Sequence, residues 1–166
     1  HSGARLPPER DLAKQLGGKL DDIVTHINNQ LNADLDGSRF VTAFMGFLDP
    51  DKHHVDYHAA GQGPLLHYHA KDKRSEFYPA STLPLGVLPE MILEPTSPIV
   101  LEPGDVFALL TDGFFEYQNS AGKQMGQDRI GEIIARHDDR KASEILDAIL
   151  DELAEFSVGA PQLDDL

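Results

Sequence analysis

Cysteine is absent from the 166-residue chain, which excludes disulfides and thiol chemistry and fits a cytoplasmic protein. No apolar run approaches the roughly 18 residues that a membrane-spanning helix needs, and the start carries no signal-peptide pattern. Positive charge is scarce. Lys and Arg number 14 against 28 Asp and Glu, a formal net charge of −14. Such a surface repels phosphate backbones and anionic headgroups, so nucleic acid and membranes are poor partners. Internal repeats and low-complexity segments are missing too. At this length one domain with a real core is expected, and His1-Ser2-Gly3 reads as the scar of an expression tag.

Helical signals bracket a block of strand signals. Pro7-Pro8-Glu9 followed by Asp11 to Leu16 and Gly17-Gly18 predicts a short helix entered by proline and closed by glycine. Leu20, Ile23, Val24, Ile27 and Leu31 then fall on one helical face, with His26 at its boundary, until Asp36-Gly37 breaks the pattern. Strands are predicted over 39–48 and 53–60 around an Asp49–Lys52 turn. A third follows at 65–70, with 71–76 as a polar hairpin tip before Phe77-Tyr78. Prolines at 79, 84, 89, 95 and 98 predict a long surface connection, with a short edge strand near Met91 to Leu93. Two helices close the pattern. Ile130, Ile133, Ile134 and His137 share a face of the first; Leu146, Ile149, Leu150 and Leu153 line the second, which runs from Ala142 to Phe156. Helices, antiparallel strands and helices again predict an α+β layered domain.

Candidate chemistry centres on residues 101–117. Pro103-Gly104 has type II turn chemistry, and Val106 to Leu110 is an apolar run suited to a strand buried on both faces. The run stops at Thr111-Asp112-Gly113, which leaves a carboxylate at the strand tip with a glycine to turn the backbone behind it. Local pattern alone leaves Asp112 open as a plain turn residue or as a metal or catalytic acid. Asp49-x-Asp51 fails as a calcium loop, because His54 stands where that loop needs glycine and Ala60 where it needs glutamate. His67 and His69 share a strand face, as His-x-His zinc ligands do. With no cysteine and no obvious fourth ligand, the expectation is that they line the solvent face of a hairpin.

Five ordered motifs resemble the SpoIIE-type members of the metal-dependent serine/threonine phosphatases, the PPM superfamily. They are Phe40 to Asp49, Ala60-Gly61-Gln62-Gly63-Pro64, Pro84-Leu85-Gly86, Pro103 through Glu116 with Thr111-Asp112-Gly113 at its heart, and Asp164-Asp165. Together they cover about residues 18–166. The resemblance implies two stacked antiparallel β-sheets flanked by helices. It also implies a two-metal Mn²⁺ or Mg²⁺ centre that takes Asp112 and Asp164 as catalytic ligands, with Asp165 as the fallback. The substrate it implies is phosphoserine or phosphothreonine on an anti-anti-sigma-type partner of a bacterial signalling regulator. A sensor or receiver module would lie N-terminal, and a homo-oligomer is compatible with all of this.

Gln62 replaces the histidine of the family's Ala-Gly-His turn, although glutamine also donates and accepts hydrogen bonds. Nothing in residues 1–18 matches the family's upstream acidic metal motifs, and the chain stops where the last strand is expected. A partial domain, 1–166, is therefore expected. The alternative is a PPM-like binding module that has lost its metals, and a histidine-based metal-binding domain is the distant third.

Overall fold

A computed structural model describes residues 20–35, 37 and 39–159. The helix expected over 11–16 and the acids Asp164 and Asp165 lie outside these residues. The described elements are α1 (Leu20–Asp34), β1 (Ala43–Asp49), β2 (His54–Ala60), β3 (Leu65–His69), β4 (Arg74–Tyr78), β5 (Ile99–Val100), β6 (Val106–Leu109), α2 (Asp112–Glu116), α3 (Gln127–Arg136) and α4 (Ala142–Phe156). The strands form two antiparallel three-stranded sheets, ordered β1-β2-β5 and β4-β3-β6.

Alternation along the strands stacks these sheets and covers them with helices. Val55, Tyr57 and Ala59 of β2 meet Leu65 of β3 between the sheets, with Phe44, Tyr78 and Phe107 packed around them. The odd-numbered residues of β3 face this inner layer, while Leu66 and Tyr68 point outward into a second core. There they join Phe114 and Phe115 of α2, three isoleucines of α3 (130, 133, 134), and Ile145, Ile149 and Leu153 of α4. On the far side α1 lays Val24 against Ala60 and Leu85, flanked by Leu20, Ile27 and Leu31. The expected layered sandwich is what the chain builds.

Several local expectations are corrected. Leu146 and Leu150 are 47% and 40% exposed, so α4 buries the Ile145-Ile149-Leu153 stripe instead. Arg74 to Glu76 already belong to β4 and pair with His67 to His69, which shortens the hairpin tip. No strand forms at Met91 to Leu93. Those two side chains pack toward α1, and the short edge strand lies at Ile99–Val100, opposite His54 and Val55.

The 79–98 segment is tied down despite its prolines, because the residues between them keep their N–H groups. Ser81 N donates to Ala59 O and Gly61 N to Thr82 O, both at 2.9 Å, and Thr96 Oγ1 donates to Tyr57 O at 2.6 Å. Gly61, at φ +65°, could carry no side chain, since a Cβ there would meet Pro84 Cγ at 2.5 Å. Asn28 of α1, fully buried, accepts from Gly86 N at 2.9 Å and donates to Leu88 O at 2.9 Å.

Tyr68 is fully buried, and its hydroxyl donates to Asp138 Oδ2 at 2.7 Å. Burial, helped by that carboxylate, pushes the tyrosine up to about 12. The Lys73 ammonium at 2.6 Å and the Tyr68 hydroxyl hold the Asp138 carboxyl below its ordinary range.

Two outcomes follow from these polar ties. Asn28→Ala strands the buried Gly86 N–H and is expected to cost about 1–3 kcal/mol in urea unfolding. Asn32→Ala should cost less, since Asn32 meets the same Leu88 carbonyl at an exposed position. For Asp138, a folded pKa below the unfolded value means stability that is present above about pH 4 and lost as pH falls through the folded value. Asp138→Asn should therefore melt below the parent at pH 7, and the gap should close on acidification below about pH 4.

Candidate functional site

The turn before β6 forms as its sequence demands. Asp105 N donates to Glu102 O at 3.0 Å, and Gly104 takes the positive φ (+91°) that the third position of a type II turn requires. At the far end of β6 the expectation changes in detail. The strand stops at Leu109, which is 48% exposed, so it is not buried on both faces; Leu110 is the buried residue. Thr111-Asp112-Gly113 forms no open turn. Thr111 is the N-cap of α2 and Asp112 is the first residue of that short helix. Gly113 is helical and buried there.

Asp112 is exposed, and its Oδ1 accepts from Gly113 N at 3.1 Å. Three residues fix the turn that carries it. Phe114 and Phe115, 7% and 6% exposed, sink into the helical core. Gln62 Nε2 donates to Leu110 O at 2.9 Å, so the Ala-Gly-Gln-Gly-Pro turn is bolted to the end of β6 just before Asp112. The hydrogen bond expected of glutamine at the histidine position is present.

An exposed carboxylate offers the hard oxygen that Mn²⁺ or Mg²⁺ prefers. One carboxylate does not make a ligand set, and among the described residues no group of three metal-capable side chains includes Asp112. Asp112 thus fits part of such a centre, while the other two predicted ligands lie outside the described residues.

A metal-capable trio does form at the opposite end of β6: His67, His69 and Asp105. His67 and the Asp105 carboxylate are 1% and 2% exposed, which corrects the expectation of a solvent-facing histidine row. Odd-numbered positions of β3 face the other sheet, whereas the hairpin expectation turns them outward. The missed partner was Asp105. Only the β3–β6 pairing reveals it: Tyr68 opposes Val106, so that His69 comes beside Asp105.

His67 Nε2 lies 2.8 Å from Asp105 Oδ2, Ala70 N donates to Asp105 Oδ1 at 2.9 Å, and Glu102 N donates to Oδ2 at 3.0 Å. Burial works to raise the Asp105 carboxyl, but these hydrogen bonds outweigh it and hold the group below its usual range. His69 bonds Glu76 Oε2 at 3.0 Å; this contact foremost, with Arg74 in support, holds Glu76 low as well. His58, 3% exposed, belongs to neither site and pairs with Asp21 of α1 at 2.9 Å. His26 is exposed on α1.

Comparison with known proteins places the chain in a defined group. The family model described as stage II sporulation protein E (SpoIIE) matches residues 9–166. Phosphoserine phosphatase RsbU of Bacillus subtilis (strain 168) is 27% identical over 143 residues, covering 86% of this chain and 42% of that protein. The chain thus spans less than half the length of that relative. A chain comprising the PP2C phosphatase domain and a fragment of the regulatory domain of SpoIIE from Bacillus subtilis superposes with a TM-score of 0.66 at 18% identity, over 90% of this chain and 44% of that one. The RsbU and RsbW domains of a Mycobacterium tuberculosis protein superpose with a TM-score of 0.66 at 20% identity, over 89% and 42%. At these identities the structural likeness is one of fold.

The role of Gln62 is open to direct measurement. Gln62→Leu should lower stability by about 1 kcal/mol in denaturant unfolding, because the Leu110 carbonyl loses its donor. Gln62→His, which restores a ring donor, should recover most of that loss. Equal stability of the leucine variant and the parent would remove Gln62 as the bolt.

Proposed function

The chain belongs to the SpoIIE family, and from that premise we propose that it is a metal-dependent serine/threonine phosphatase domain of a bacterial signalling regulator. Its substrate on this reading is phosphoserine or phosphothreonine carried by an anti-anti-sigma-type partner protein. The observation that carries the proposal is the placement of Asp112. An exposed carboxylate opens a helical turn that two buried phenylalanines and the Gln62 hydrogen bond hold at the end of β6.

Asp112 and Asp164, with Asp165 as fallback, would hold Mn²⁺ or Mg²⁺. When bound, a pair of such ions supplies an activated water and charge stabilisation at phosphorus. The contribution of the chain is rigidity. Phe114 and Phe115 fix the start of α2, Gln62 fixes the residue before Thr111, and together they keep the Asp112 carboxylate at the surface, where a phosphoryl group can approach. A cytoplasmic location fits this substrate, and among the described residues no helix is long and apolar enough to cross a membrane. The mycobacterial relative carries an RsbU domain beside an RsbW domain. That arrangement supports a multi-domain parent protein, with a sensor or receiver module before residues 1–166 as the expected companion.

A second reading, a PPM-like module that binds its partner without turnover, draws on the absence of Asp112 from any metal-capable trio among the described residues.

The deciding measurement is Mn²⁺-dependent phosphate release from a phosphoserine-bearing partner, made on the whole protein that carries this chain. Asp112→Asn should cut it by roughly a hundredfold or more, since losing a ligand costs at least what losing a supporting group costs. The melting temperature should hold, because the altered side chain is exposed. Full turnover in Asp112→Asn would remove Asp112 from the centre. An inactive parent that still captures the phosphoprotein would establish the binding module.

A further inference from the structure

We propose that His67, His69 and Asp105 form a zinc site between the two sheets, separate from the centre at Asp112, with water in the fourth position. Three observations converge on it. First, both imidazoles turn one nitrogen toward a single carboxylate oxygen. His67 Nε2 is 2.8 Å and His69 Nδ1 is 4.0 Å from Asp105 Oδ2, with the ring centroids 3.9 Å apart. A distance of 4.0 Å is too long for a hydrogen bond but suits two ligands of one cation.

Second, the outward nitrogens have the partners that metal-bound imidazoles use. His69 Nε2 meets the Glu76 carboxylate at 3.0 Å, and His67 Nδ1 lies 3.5 Å from the Tyr78 hydroxyl. The Glu76 contact fixes the His69 tautomer that leaves Nδ1 free to bind metal, while at His67 the Nε2 proton now shared with Asp105 must leave first. Third, the carboxylate is held in place before any metal arrives, by the backbone N–H groups of Ala70 and Glu102.

The fit is close. Zinc bonds of about 2.0–2.2 Å place tetrahedral ligand atoms about 3.3–3.5 Å apart. The 2.8 Å pair must open and the 4.0 Å pair must close, each by less than about 1 Å. The proton shared by His67 and Asp105 leaves as the metal enters. His69, with its side chain 23% exposed, provides the way in and the edge at which water completes the shell. Two imidazoles and one carboxylate select zinc over the all-oxygen preference of Mn²⁺ and Mg²⁺. The site would clamp the Glu102–Asp105 turn to the end of β3, with about 13 Å of β6 between it and the end that leads to Asp112.

The test is zinc binding to the metal-stripped chain by competition with a chromogenic chelator, alongside the visible spectrum of the Co²⁺-substituted protein and the melting temperature. Expected are one equivalent bound, a four-coordinate Co²⁺ spectrum, and a rise of roughly 5–10 °C at a hundredfold excess of zinc over Kd. His69→Gln should abolish the Co²⁺ spectrum and the rise while lowering the metal-free melting temperature only slightly, since its bond to Glu76 is partly exposed. Glu76→Gln should weaken binding about tenfold. His53→Gln, in the exposed turn between β1 and β2, should change nothing. A four-coordinate Co²⁺ spectrum that survives His69→Gln, one that is lost with His53→Gln, or no such spectrum in the parent at all would overturn the site.

Discussion

β3 is the strand on which the rest of the molecule depends, because it is the central strand of its sheet, buried along nearly its whole length, and its two faces serve two different cores. Leu65 and His67 look into the layer between the sheets, and Leu66 and Tyr68 into the layer beneath the helices. A strand buried on both faces leaves any polar side chain it carries without water, so each must find a fixed partner. Tyr68 finds Asp138, on the loop between α3 and α4, and His67 finds Asp105, on the turn before β6. These two bonds run in opposite directions from one strand. One ties the helical layer to the sheet and the other ties the neighbouring strand to it.

The same double burial explains what the sequence made legible. Periodicity identifies helices best, because burial of one face leaves a repeating mark, and α1 and α4 carry it clearly; β3, buried on both faces, shows only as a short run between turns. Neighbouring stripes on one helix are harder to separate. In α4 both Ile145-Ile149-Leu153 and Leu146-Leu150 are apolar, and only contact with α3 decides between them. The 79–98 segment was legible as proline-rich but not as anchored. Its attachment comes from Asn28, a polar residue on an otherwise apolar helical face, whose partners lie about sixty residues away in sequence.

The candidate sites divide along the same line. Asp112 is legible because apolar run, Thr, Asp and Gly form a local pattern that resembles a known family. Gln62 is legible in part: its amide had the capacity to replace a histidine, but its acceptor, the Leu110 carbonyl, is known only once the turn and β6 are side by side. The cluster around Asp105 is not legible locally at all. His67 and His69 stand on one strand and Asp105 on the approach to another, and the pairing register that joins them has no sequence signature of its own.

The charge balance bears on how the two ends of β6 differ. A chain of net charge −14 repels a phosphorylated partner wherever its acids are bare. An exposed Asp112 adds to that repulsion, so on the proposed reading a phosphoryl group gains access only where a divalent ion inverts the local sign. The Asp105 carboxylate faces no such demand. It is buried, already held by two backbone N–H groups and a histidine, and closed to anything as large as a phosphoprotein. A cation bound there is shielded from substrate and acts on the fold alone. It would fix the start of β6, while the acid near the other end of the same strand stays free to meet its substrate.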